Sequence, residues 1–90
     1  MRVRRQFVIT GRVQGVGFRW FARDAAAREG VDGWVRNLPD GRVEAEIEGE
    51  LEAVDRVEAA LGRGPGGSRV DEVRVEERAP EGRRTGFSIR

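Results

Sequence analysis

Apolar and polar residues alternate along QFVITGRV. Phe7, Ile9 and Val13 fall on one face of an extended chain and Val8, Thr10 and Arg12 on the other, which predicts a first strand. The period then lengthens. Phe18, Phe21, Ala22, Ala25 and Ala26 recur at the spacing of an amphipathic helix, and Gly30 stands where a left-handed residue ends one. Strict alternation returns in RVEAEIEG, where Val43, Ala45 and Ile47 interleave with Glu44, Glu46 and Glu48, so one face is buried and the other wet. VDGWVRNL precedes it as a partner strand, and PDG between them supplies Pro, Asp and Gly for a hairpin.

A second helix comes next, in GELEAVDRVEAALGRG. Leu51, Val54, Val57 and Leu61 mark its apolar face, with Glu58 the one polar residue at the edge. Glu50 and Glu52 lie in its first turn, where the helix dipole favours acids. GRGPGGS reads as a loop, RVDEVRVEER as a fourth strand with Val73 and Val75 inward, and GFSIR as a short last strand. The order is βαββαβ plus a tail. It predicts an α+β, ferredoxin-like split βαβ sandwich, with two helices on one face of a mainly antiparallel sheet. Without a repeat or a long linker, residues 1–90 are expected to form a single domain, complete in itself.

Composition narrows the chemistry more than the fold. Seventeen basic residues, all arginine, face sixteen acids for a net charge of +1. The signs alternate, as in VDEVRVEERAPEGRR, so most charges are expected on the solvated surface rather than gathered into a nucleic-acid footprint. No apolar run approaches the roughly 20 residues that span a bilayer, and the apolar stretch after MRVRR is too short for a signal peptide. A cytoplasmic protein without a membrane partner is the expectation. His, Cys and Tyr are absent; serine occurs only as Ser68 and Ser88, threonine only as Thr10 and Thr85. Ser–His and Cys–His nucleophiles, disulfides and His- or thiolate-bound metal are therefore excluded within one chain. An enzyme built from this inventory works with arginine, amide, carboxylate and backbone N–H groups.

Two stretches offer such groups. In GRVQGVGFRWF a strand runs through Gln14, Gly15, Val16, Gly17 and Phe18 into a helix carrying Arg19. Glycines let successive N–H groups converge into an anion-binding nest. The helix start adds unpaired N–H groups and its positive dipole end, and Arg19 offers a planar fork for two phosphate oxygens. The dinucleotide pattern fails because Trp20 stands where its last glycine belongs, and a Walker loop fails for want of lysine. The plain alternative is a tight turn beside an incidental arginine. In GWVRNLPDG, Asn37 ends the second strand. It reads either as a turn-maker or as an amide that donates to one group and accepts from a water. Strands one and two run parallel in this topology, which brings Asn37 toward the loop.

GRVQGVGFRWF and GWVRNLPDGRVE resemble the two signature stretches of the acylphosphatase family, and GPGGSRVDEVRVEE is similar to its helix-to-strand connection. The resemblance covers nearly the whole chain. It implies hydrolysis of acyl phosphates to a carboxylate and inorganic phosphate. The phosphate-gripping arginine then falls on Arg19, the backbone cradle on Gln14, Gly15, Val16, Gly17, Phe18 and Arg19, and the water-orienting asparagine on Asn37. It also implies no metal, no cofactor and no covalent enzyme intermediate; a monomer is expected at this size. The chain departs from the family at Leu38, where some members carry a small polar residue, and at FSIR, where members often carry a further aromatic. Two other readings compete: a non-catalytic phosphate- or nucleotide-binding ferredoxin-like module, and a domain detached from a larger enzyme that handles carbamoyl or acyl phosphates. The glutamates of VEAEIEG stand where an RNA-binding sheet of this fold carries aromatics, which argues against RNA.

Overall fold

The first strand runs further than its apolar residues suggest. In a computed structural model, which describes residues 1–82 and 84–90, β1 covers Arg2–Arg12. After it come α1 (Phe18–Glu29), β2 (Asp32–Asn37), β3 (Val43–Glu50), α2 (Leu51–Arg63), β4 (Arg69–Arg78) and β5 (Phe87–Ile89). The sheet order is β4-β1-β3-β2-β5. β3 lies antiparallel to both β1 and β2, so β1 and β2 are parallel to each other without touching. β4 is antiparallel to β1, and β5 pairs parallel with β2, opposite Gly33, Trp34 and Val35. The expected ferredoxin-like α+β sandwich is the observed one.

The core lies between the sheet and the helices. Phe7, Ile9, Val35, Val43, Ala45 and Ile47 from the sheet are fully buried, as are Ala26, Val54 and Leu61 from the helices. Phe18, Ala22, Ala25 and Ala26 match the expected stripe of α1, while Phe21 is only partly covered. In α2, Ala53 and Ala60 join the buried face. Gly30 ends α1 at φ 68°, with its N–H reaching back to the carbonyls of Ala26 and Ala27.

Val75 and the acids of β3 depart from expectation. Val75 stands across from buried Phe7 but remains 40% exposed, because β4 is the edge strand and the cover over it thins toward its end. The glutamates of β3 are not a wet face either. Glu48 is 3% exposed and Glu44 and Glu46 are half-buried, since β1 lays basic and amide groups across them. Arg2 donates to Glu48 at 3.0 Å, Arg4 to Glu46 at 2.9 Å and Gln6 to Glu44 at 2.6 Å. Arg2 also reaches Asp32 at 2.9 Å. Glu48 and Asp32 then receive the C-terminal segment: Glu48 accepts from the N–H groups of Glu81 and Gly82, and Asp32 from that of Gly86. Arg83, part of the charged run VDEVRVEERAPEGRR, lies outside the described residues.

On the helix side of the sheet, Arg5 explains the one polar position in the face of α2. Its guanidinium binds Glu58 at 3.0 Å, Asp55 at 2.7 Å and Glu77 at 2.6 Å.

Candidate functional site

The C-terminal ends of β1 and β2 point the same way, so the loop leaving β1 and the turn leaving β2 meet at one end of the sheet. After β1 the chain turns through Gly15 at φ 73° and Gly17 at φ 78°, ψ 21°, with Val16 between them at negative φ. A Cβ at either glycine would meet nothing within 4 Å, so the requirement for glycine is one of backbone conformation and not of space. This alternation turns neighbouring N–H groups toward one point.

Gly17 is the N-cap residue of α1, and no side chain caps the helix. Its first turn contains no acid. Among the described residues, no backbone carbonyl or side chain accepts the N–H groups of Gly15, Val16, Gly17, Phe18 or Arg19. A helix start left open in this way presents several donors and the positive end of a dipole to whatever sits before it.

Arg19 lies in that first turn and is half-buried. The other half-buried arginines among the described residues all have a partner: Arg2, Arg4, Arg5 and Arg42 have carboxylates, and Arg23 lies over the Trp20 ring. Arg19 has neither an ion pair nor a hydrogen bond among the described residues. A guanidinium that lines a cleft without a counter-charge is left available to an anion.

Asn37 ends β2 opposite Val43. Its side chain makes no hydrogen bond among the described residues. The turn beyond it is closed by other groups: the N–H of Leu38 donates to the Arg42 carbonyl at 2.8 Å and that of Gly41 to the Leu38 carbonyl at 3.2 Å. Asp40 accepts from the Arg42 N–H at 3.1 Å and from its guanidinium at 2.8 Å, and this pairing holds the Asp40 carboxyl below its usual range. The turn-making role therefore falls to Asp40, which leaves the Asn37 amide available.

Val13, Gly15, Gly17, Phe18, Arg19, Trp20 and Asn37 line one cleft of about 270 Å³. The residues expected to act together are thus brought together, with two differences of detail. Phe18 is 2% exposed, so its ring belongs to the core and only its N–H serves the cleft. The Gln14 side chain turns to the hairpin and donates to the carbonyls of Leu38 at 2.8 Å and Arg42 at 3.0 Å. That strut ties the glycine loop to the turn bearing Asn37. Sequence reasoning missed it because residues 14 and 38 become neighbours only through the fold. It missed Trp20 as well, whose exposure at the cleft mouth was foreshadowed only by its absence from the apolar stripe of α1.

A family model described as Acylphosphatase matches residues 5–89. A protein named Acylphosphatase from Anaeromyxobacter dehalogenans is 55% identical over 89 residues, covering 99% of this chain and 96% of that protein. The crystal structure of acylphosphatase from Bacillus subtilis superposes with a TM-score of 0.91 at 40% identity, covering 97% of each chain. The T. kodakarensis HypF structure resembles the whole chain with a TM-score of 0.85 at 30% identity, over 12% of its own length.

Proposed function

The chain belongs to the acylphosphatase family and hydrolyses acyl phosphates to a carboxylate and inorganic phosphate, and on that premise we propose how its cleft does so. Arg19 and the N–H groups of residues 14–19 hold the phosphoryl group, and Asn37 orients the attacking water. Water attacks phosphorus, the bond from phosphorus to the acyl oxygen breaks, and the electron pair leaves with the carboxylate. The observation that carries this reading is the unmatched Arg19 guanidinium beside open N–H donors, opposite a free Asn37 amide.

An acyl phosphate is a mixed anhydride with a good leaving group, so it needs little acid catalysis at departure. The enzyme contributes position and charge stabilisation on the transferring phosphoryl group. A substrate phosphate oxygen takes the proton from the attacking water. No metal and no cofactor takes part. Residues 1–90 work as one domain, a reading supported by the one hydrophobic cluster of the described residues. We place the enzyme in the cytoplasm as a monomer without a nucleic-acid partner. No helix of the described residues is long and apolar enough to cross a membrane, and on the sheet face Arg2 and Arg4 are engaged by Glu48 and Glu46 and not held out toward a polyanion.

Hydrolysis of benzoyl phosphate in the presence of EDTA tests this. The unsubstituted protein releases phosphate rapidly. Arg19→Ala loses binding and turnover together, and Arg19→Lys recovers little, because an ammonium lacks the two-pronged grip. Asn37→Ala lowers kcat by about 100- to 1000-fold with little change in KM, as for loss of one oriented donor. If Asn37→Ala lowers stability alone, Asn37 is structural. If the unsubstituted protein matches buffer, the module binds phosphate without catalysis.

A further inference from the structure

Of the side chains lining the cleft, most have no apolar surface to offer a ligand. Gly15 and Gly17 have no side chain, Arg19 and Asn37 are polar, and Val13 and Phe18 are 1% and 2% exposed. Trp20 is the exception, 55% exposed and on the cleft wall. It comes directly after Arg19 in the first turn of α1 and lines the same cleft as Arg19 and Asn37. Its position is also held. Arg23, one turn further along the same helix, lies with its guanidinium 4.2 Å from the ring centroid. That contact covers part of the ring and restrains it at the cleft edge.

We propose that Trp20 is the acyl-side wall of the cleft and selects acyl phosphates whose acyl group is flat and apolar, an aryl or conjugated carboxylic acid. This rests on the reading that the cleft holds the phosphoryl group. A phosphoryl group seated on the N–H donors leaves its acyl substituent at the mouth, where the indole is the exposed apolar surface among the described residues that line the cleft. A planar acyl group stacks on it and removes apolar area from water. An acetyl group is too small to gain much from the same ring. The selectivity is expressed in binding, because the ring meets the acyl group equally before and during attack at phosphorus.

The test compares benzoyl phosphate with acetyl phosphate in the unsubstituted protein, Trp20→Ala and Trp20→Phe, with competitive inhibition by inorganic phosphate measured for each. The expected result is a fall of about three- to tenfold in the benzoyl-to-acetyl ratio of kcat/KM for Trp20→Ala. The loss lies in KM for benzoyl phosphate, and Trp20→Phe restores most of it. An unchanged ratio overturns the proposal. So does a parallel loss of inhibition by inorganic phosphate, which would mean that the ring supports the loop and not the acyl group. Failure of the underlying reading is distinct: the unsubstituted protein would hydrolyse neither substrate faster than buffer, and both proposals would fall.

Discussion

Gly17 holds φ 78° and ψ 21°, a conformation that a residue with a Cβ adopts at a cost of about 1 to 2 kcal/mol. Nothing crowds the position, so Gly17→Ala is a test of conformation alone. The expected result is a loss of that size in denaturant unfolding, accompanied by weaker inhibition by inorganic phosphate as the loop relaxes and its N–H groups diverge. An unchanged inhibition constant would show that the turn does not aim those donors. At this scale the sequence was informative about type and silent about partnership. The glycines, Arg19 and Asn37 could be picked out from spacing and resemblance. That Arg19 lacks a carboxylate while Arg2, Arg4, Arg5 and Arg42 each have one depends on which strands become neighbours. Likewise, Asn37 and Asp40 were both candidate turn-makers until the hydrogen bonds of Asp40 separated them.

The site is assembled from two elements joined by one amide. Gln14 donates to both carbonyls that flank the hairpin tip, so the glycine loop and the Asn37 turn keep a fixed relation. Both carbonyls also accept from backbone N–H groups, so Gln14→Ala leaves neither unpaired and costs only about 1 to 2 kcal/mol. Its larger effect is on turnover, through drift of Asn37. A double-mutant cycle checks this: the kcat loss from Gln14→Ala should largely vanish in an Asn37→Ala background, whereas full additivity would dissociate the strut from Asn37. The elements themselves were legible wherever periodicity was strong, as in α1, α2 and the β2–β3 hairpin. The early part of β1 was not, because Arg2 and Arg4 fall among the charges expected on the solvated surface. Their partners are the acids of β3, brought alongside by antiparallel pairing. The reach of β4 beyond its cover was hidden for the same reason: Val75 alternates correctly but lies on an edge strand.

Across the whole molecule, β1 joins two regions of opposite character. One end leads into the open donors of the cleft; the other begins with Arg2, which is bound to Asp32 and Glu48. Burial pushes the Glu48 carboxyl up, but the N–H groups of Glu81 and Gly82 and the Arg2 guanidinium outweigh it and hold the pKa below its ordinary value. A lowered folded value means that the unfolded chain takes up the proton first as pH falls. The stability contributed by Glu48 is therefore whole above about pH 4.3 and fades as pH drops through the lowered folded value. Glu48→Gln should cost about 1.5 to 3 kcal/mol at neutral pH and flatten the acid limb of a stability profile. Denaturant midpoints across that range check it, and an acid limb as steep as before would assign the loss to other carboxylates. The same geometry has a practical side. β1 rises about 3.3 Å per residue, so its eleven residues set Met1 roughly 30 Å from the cleft, close to the 33 Å long axis of the molecule. A tether attached ahead of Met1 would leave the glycine loop at the far end, facing away from a support. A bead or electrode could then carry the enzyme with its mouth open to the stream.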